Sequence, residues 1–126
     1  MARIKHIALT TSDPARAAAF YKEAFGLKEL RRSARGAVFL TDGYINLAIL
    51  NYKTDKDADV GAHGANFDGI HHFGFEVDDL DDIKRRLKET GFNAEIDSKS
   101  DKDSDHRIQD PDGHWVDMAV HRRWPK

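Results

Sequence analysis

The amino-acid sequence contains an internal repeat, and this repeat constrains the fold more than any other feature. Residues 4–10 and 70–77 both alternate large apolar side chains with small or polar ones. This alternation is typical of a β-strand with two different faces. His6 in the first segment aligns with His72 in the second, and each segment leads into a helix-like run that ends at a glycine. The sequence therefore predicts two similar halves.

A second pair of segments supports the same division. Residues 44–50 and 115–121 match in the order of their aromatic, β-branched, polar and small side chains, so that Asn46 aligns with Asp117. Each half follows the order strand, helix, three strands. We predict an α+β protein with two paired βαβββ modules in a single domain spanning residues 1–126. Module 1 is predicted at about 1–51, a linker at 52–69 and module 2 at about 70–122.

Capping residues define the two predicted helices. Asp13 followed by Pro14 predicts a helix start, and Gly26 predicts its end. A second helix is predicted at about residues 80–90. The first helix is expected to turn four apolar side chains inward: Ala17, Phe20, Tyr21 and Phe25.

The remaining segments are predicted as short strands and loops. Strands are predicted at residues 27–33, 37–41, 44–50, 93–98, 105–109 and 114–121. Residues 51–69 predict a linker or flexible flap, and residues 97–105 predict a mobile loop. A turn at residues 110–113 precedes the last strand.

Composition narrows the class of protein. The chain has 126 residues and a net charge of -2, with no concentrated basic stripe, so no nucleic-acid partner is predicted. It has no cysteine, which excludes disulfides and thiolate chemistry. The N-terminus leaves no room for a signal peptide and no apolar run is long enough for a membrane span. We expect a cytoplasmic protein with a small-molecule substrate and no membrane partner.

Four polar residues on the repeated strands share a predicted face with small neighbours. The polar residues are His6, His72, Asn46 and Asp117, and the small neighbours are Ala8, Gly74, Ala48 and Ala119. If a pseudo-twofold axis relates the halves, the polar side chains converge on one trough lined by the small ones. Two imidazoles, a carboxylate and a weak amide ligand suit a divalent first-row metal ion. The alternative is that each histidine is simply packed or hydrogen-bonded in the sheet. The presence of a histidine at the equivalent position of both halves favours metal binding over this alternative.

For other residues near this face, the sequence allows both a functional and a structural role. Glu76 and His121 are candidate general acids or bases, and each is also read as a strand-end residue or salt-bridge partner. Tyr44 and Trp115 are candidate walls of a substrate pocket, or ordinary β-strand aromatics. His71 is interpreted as structural. Three further histidines are interpreted as surface residues: His63, His106 and His114.

The same motifs resemble the vicinal oxygen chelate superfamily. They comprise residues 6–9, Asp13, residues 20–21, residues 26–27, residues 72–79 and residues 110–114 leading to Asp117. This superfamily includes glyoxalase I, extradiol dioxygenases, methylmalonyl-CoA epimerase, fosfomycin-resistance thiol transferases and bleomycin-resistance proteins. The resemblance implies an open, cup-shaped mixed sheet, usually in a homodimer.

The resemblance also implies a metal site and a type of chemistry. The metal would be held by His6, His72 and Asp117, while Asn46 stands where glyoxalase I carries a second glutamate. The implied function is a metal-dependent enzyme, a dioxygenase or a lyase or isomerase, that chelates vicinal substrate oxygens on Fe2+, Mn2+, Ni2+ or Zn2+. The alternatives are a metal-free protein that binds a drug or aromatic ligand, as bleomycin-resistance proteins do, and an interaction module without a ligand.

Overall fold

The computed structural model describes residues 2–57, 60–92, 96–98 and 106–120. Its elements follow the order strand, helix, three strands, and then repeat that order. They are β1 (Arg3–Thr10), α1 (Pro14–Phe25), β2 (Lys28–Arg32), β3 (Val38–Thr41), β4 (Asn46–Leu50), β5 (Gly69–Val77), α2 (Leu80–Thr90), β6 (Asp97–Ser98), β7 (His106–Gln109) and β8 (Trp115–Val120). The predicted α+β class with two βαβββ modules is confirmed.

The strands form mixed sheet structure, in the order β2-β3-β4-β1 in the first module and β5-β8-β7-β6 in the second. The first strand of each module pairs with the last strand of the same module in parallel, β1 with β4 and β5 with β8. The remaining pairs within each module are antiparallel. The strand order of the second module therefore mirrors that of the first.

Residue contacts divide the chain into two compact units, and the division passes through β1 and β5. Among the described residues, one unit comprises residues 6–71, and the other comprises residues 2–5 with residues from 72 onward. The predicted single domain and its module boundaries stay predictions.

Helix α1 begins and ends where the capping residues predict. The Asp13 side chain accepts a hydrogen bond from the backbone N–H of Arg16, and Pro14 opens the helix. Gly26 closes it with φ +72°, a left-handed conformation that costs glycine little. Its buried face packs on β3 and β4 around a core of four residues: Ala18, Val38, Leu40 and Ile49.

The predicted inward face of α1 is partly wrong. Ala17 and Tyr21 pack against the core, but Phe20 is 56% exposed and Phe25 is 68% exposed. Because successive helical residues are about 100° apart, Phe20 lies on the side opposite buried Ala18. The two phenylalanine rings instead contact each other at a centroid distance of 5.9 Å.

Helix α2 is a surface helix. Asp79 caps its N-terminus and Gly91 its C-terminus. Its exposed side carries ion pairs from Asp82 to Arg85 and Arg86, and no residue of the helix is fully buried. Neither helix in the described ranges is long and apolar enough to cross a membrane.

The segment between the modules has neither helix nor strand in its described residues, and side chains hold it in turns. The Asp57 carboxylate accepts hydrogen bonds from the backbone of Lys53 and Thr54. The Thr10 hydroxyl, at the end of β1, donates to the Phe67 carbonyl at 2.7 Å. The segment is therefore a hydrogen-bonded linker.

Three predictions fall partly or wholly outside the described residues. The strand predicted at 93–98 is observed only as β6, since residues 93–95 are not described. The loop predicted at 97–105 is wrong at its start, because β6 pairs with β7 there; its other residues lie outside the description. His121 also lies outside the described residues.

Candidate metal centre

A buried histidine and a buried carboxylate meet in the second module. His72 on β5 is 8% exposed and Asp117 on β8 is 5% exposed. His72 Nε2 lies 3.2 Å from Asp117 Oδ2. In the β5–β8 register, Asp117 is level with Gly74, two residues beyond His72 on the same face. Since Gly74 has no side chain, the imidazole has room to reach diagonally to the carboxylate.

The same carboxylate binds an arginine from the neighbouring strand. Arg107 on β7 is paired in register with Asp117 and is 6% exposed. Its Nε donates to Asp117 Oδ1 at 2.6 Å, and its Nη2 donates to Oδ2 at 3.1 Å. The guanidinium also lies 4.2 Å from the centre of the Trp115 ring, a cation–π geometry. His72, Asp117 and Arg107 thus form a buried triad.

Sequence reasoning missed Arg107, although a signal for it exists. Residues 110–113 predict a tight turn, and the two strands beside such a turn pair outward from it. Counting outward from this turn places Arg107 opposite Val116, one residue from Asp117; the observed register follows from the Asp110–His114 pair that closes the turn. Because charged residues are rarely fully buried unless paired, an arginine on a strand is ordinarily expected to be exposed.

The first module positions its histidine differently. His6 on β1 is directly level with Asn46 on β4, and both are buried. His6 Nδ1 lies 2.8 Å from Asn46 Oδ1. In a neutral ring that donates this bond through Nδ1, Nε2 is the nitrogen without a proton. Imidazole binds metals through such an unprotonated nitrogen.

The register shows that the two modules are not exact copies. Asn46 is level with His6, whereas Asp117 is two residues further along its strand pair than His72. Relative to the histidines, the position in the first module that corresponds to Asp117 is Ala48, which is level with Ala8. The sequence alignment of Asn46 with Asp117 therefore does not extend to the register. In the structure, Asn46 contacts His6, and its role as a weak metal ligand stays a prediction.

The other predicted site residues are in varied environments. The small residues on the same strands are buried: Ala8, Ala48, Gly74 and Ala119. Tyr44 is 50% exposed two residues before β4, and Trp115 is half-buried under Arg107. Glu76 forms an ion pair with Arg3 at 3.7 Å, which agrees with its salt-bridge reading. Substrate and catalytic roles for these residues stay predictions.

Three further histidines have structural contacts. His71 Nε2 lies 3.0 Å from the Val60 carbonyl oxygen. The His63 ring stacks on the Phe67 ring. Exposed His114 hydrogen-bonds Asp110 through Nδ1 at 2.8 Å. The His114 backbone N–H is also the main cause that lowers the pKa of Asp110.

Two groups of histidine and aspartate side chains in the described ranges could hold a metal ion. One includes buried His72 and Asp117; the other lies in the largely exposed β7–β8 turn and consists of Asp110, Asp112 and His114. Two ligand atoms bound at about 2.0–2.2 Å to one ion at roughly a right angle lie about 3 Å apart. The 3.2 Å separation of His72 Nε2 from Asp117 Oδ2 matches this value. Two imidazoles and one carboxylate also suit a first-row divalent ion, so the buried group fits a metal.

The model of the Glyoxalase/Bleomycin resistance protein/Dioxygenase superfamily matches residues 3–118. Glyoxalase I of Saccharomyces cerevisiae is 26% identical over 149 residues, which cover 95% of this chain and 45% of the yeast protein. The chain thus spans less than half the length of this curated relative.

Solved structures show the same fold. A variant of Streptomyces coelicolor methylmalonyl-CoA epimerase, in complex with 2-nitronate-propionyl-CoA, has a TM-score of 0.68 and 20% identity, covering 94% of this chain and 96% of that chain. A 2,3-dioxygenase from Pseudomonas sp. KL28 has a TM-score of 0.64 and 20% identity, covering 94% of this chain and 40% of that chain. At this level of identity the likeness is one of fold.

Proposed function

Since the chain belongs to the Glyoxalase/Bleomycin resistance protein/Dioxygenase superfamily, we propose that it is a metal-dependent enzyme acting on a small molecule. In this proposal His6, His72 and Asp117 hold one divalent ion, Fe2+, Mn2+, Ni2+ or Zn2+. When bound, such an ion supplies Lewis-acid chemistry to two vicinal oxygens of a substrate. The reaction class is proposed as a dioxygenase or a lyase or isomerase.

The buried contact between His72 and Asp117 carries the proposal. His72 and Asp117 are both buried on neighbouring strands, and buried carboxylates are paired or coordinate metals. Their separation of 3.2 Å suits two ligands of one ion. His6 adds a second imidazole from the equivalent position of the first module, where Asn46 Oδ1 lies 2.8 Å from its Nδ1.

Other residues of the chain have proposed supporting roles. Asn46 fixes the ring orientation and tautomer of His6. Glu76 and His121 stay proposed for proton transfer, and Tyr44 and Trp115 for the pocket wall. A homodimer is proposed from the family resemblance, and a cytoplasmic location from the cysteine-free composition.

One observation favours a second candidate function, a metal-free binding protein for a drug-like or aromatic ligand. Arg107 already binds both oxygens of Asp117 and supplies the positive charge that a metal ion would bring. In that function, the buried triad is a structural ion pair. The two candidates therefore differ in whether Asp117 and the histidines bind a metal at all.

Replacing His72 separates the two candidates. His72→Ala removes one imidazole from the proposed site, so we expect at least a tenfold loss of Mn2+ or Zn2+ affinity in titration calorimetry. His63→Ala is the matched control, because His63 is an exposed histidine outside both candidate metal groups. It should bind as the wild type does.

A third variant addresses the exposed group. His114→Ala removes a member of the exposed group in the β7–β8 turn and should leave affinity unchanged if the buried group is the site. Loss of binding in His114→Ala with unchanged binding in His72→Ala would move the metal to the turn. Absence of binding in all proteins would favour the metal-free function.

A further inference from the structure

Arg107 is the feature of the site that neither the family pattern nor the proposed chemistry requires. Its guanidinium is buried, forms two hydrogen bonds with Asp117, and lies over the Trp115 ring. All three residues belong to the same antiparallel pair, β7 and β8. The geometry is the paired, planar recognition of a carboxylate by arginine.

A cation at this place has two physical effects. It compensates the charge of a carboxylate that is 5% exposed, which would otherwise be costly to bury. It also places a fixed positive charge on the same carboxylate that is proposed to bind a divalent ion, and like charges repel strongly where water is excluded. The first effect stabilises the protein without metal, and the second weakens metal binding.

Resting on the proposed function, we propose that Arg107 is a positioning residue that holds Asp117 in place without metal and lowers the affinity of the site for divalent ions. The site then binds its ion more weakly than two imidazoles and a carboxylate would without the arginine. Trp115 contributes by fixing the plane of the guanidinium.

The first arm of the test measures stability without metal. In EDTA, Arg107→Met leaves Asp117 without this partner, and its melting temperature should fall by about 10 °C or more. Arg107→Met/Asp117→Asn removes the buried charge as well and should recover most of that loss. The matched control is Arg86→Met, which removes an arginine paired with Asp82 on the exposed side of α2, and should change little.

The second arm measures metal affinity by titration with Mn2+. Arg107→Met should bind Mn2+ roughly tenfold or more tightly than the wild type. Arg107→Lys keeps the charge and should stay close to the wild type. If Arg107→Met does not fold in EDTA, Arg107→Gln carries the comparison, because it keeps a hydrogen-bond donor for Asp117 without the charge.

The outcomes separate this inference from the proposed function. Equal Mn2+ affinity in the wild type and the neutral variants would overturn the inference while leaving the metal site intact. Binding only after Arg107 is neutralised would support the inference and overturn the proposed function. Binding in neither protein, or an Arg107→Met protein as stable in EDTA as the wild type, would overturn the inference.

Discussion

At the scale of single residues, the two histidines of the candidate site are held by different partners. His6 contacts the amide of Asn46 through Nδ1, and His72 contacts the carboxylate of Asp117 through Nε2. An amide is neutral, so Asn46 orients a ring without adding charge. The two modules thus contribute unequally: one provides an oriented imidazole, and the other provides an imidazole with a carboxylate and a cation.

Asn46 can be tested apart from the proposed ligands. Asn46→Ala removes the oxygen that fixes the His6 tautomer, and we expect metal affinity to fall by about 10–100-fold. Nitrogen-15 NMR of the His6 ring provides a second readout, because the ring should lose its preference for the Nδ1–H form. Melting temperature in EDTA controls for loss of packing. Unchanged affinity together with an unchanged tautomer would show that Asn46 does not orient His6.

The sequence could identify these residues but not all their contacts. His6 and His72 were recognised because the repeat places both on equivalent strands, and Asp117 because it shares a strand face with small neighbours. The contact of Asn46 with His6 depends on strand register, which alternation alone leaves open by steps of two residues. Arg107 was missed because a buried cation is identified by its partner, and the partner lies on another strand.

At the scale of elements, local signals predicted more than tertiary ones. Caps and glycines placed both helices within about one residue, because capping depends on neighbouring residues alone. The inward face of α1 was wrong at Phe20 and Phe25, because small Ala17 and Ala18 form the contact with β3 and β4 instead. The large aromatic side chains therefore did not show which face of α1 packs on the sheet, because close packing there favours small residues.

An ion-pair network links α1 to β2 and makes a prediction about pH. The Glu29 carboxylate accepts hydrogen bonds from Arg32 on its own strand and from Lys22 on α1. Arg32 first and Lys22 second lower the pKa of Glu29 from 4.5 to about 2. Because the folded state favours the charged form, its stabilising contribution is complete above about pH 4.5 and is lost as the pH falls to about 2.

Glu29→Gln tests this network. The variant should melt at a lower temperature than the wild type above pH 4.5, and the difference should shrink as the pH falls towards 2. Glu23→Gln, on the exposed surface of α1, is the control. NMR titration of the Glu29 carboxyl gives a direct check, and a midpoint near pH 4.5 would contradict the assigned ion pairs.

At the scale of the whole molecule, the repeat predicted the order of elements in both modules and the fold class. Within each module the first strand pairs with the last strand, and the third and second strands follow outward. The difference of two residues between the modules in strand register could not be predicted, because both registers keep the same faces inward. The linker was predicted from composition, whereas its hydrogen bonds to β1 depend on contacts between distant residues.

The central claim is that one divalent ion binds to His6, His72 and Asp117. The most direct test is equilibrium dialysis of untagged wild-type protein and the His6→Ala/His72→Ala variant against Fe2+ under anaerobic conditions, Mn2+, Ni2+ and Zn2+. The bound metal is then measured by elemental analysis. We predict about one ion per wild-type chain at saturation and none in the variant. Equal metal content in both proteins, or none in either, would contradict the account.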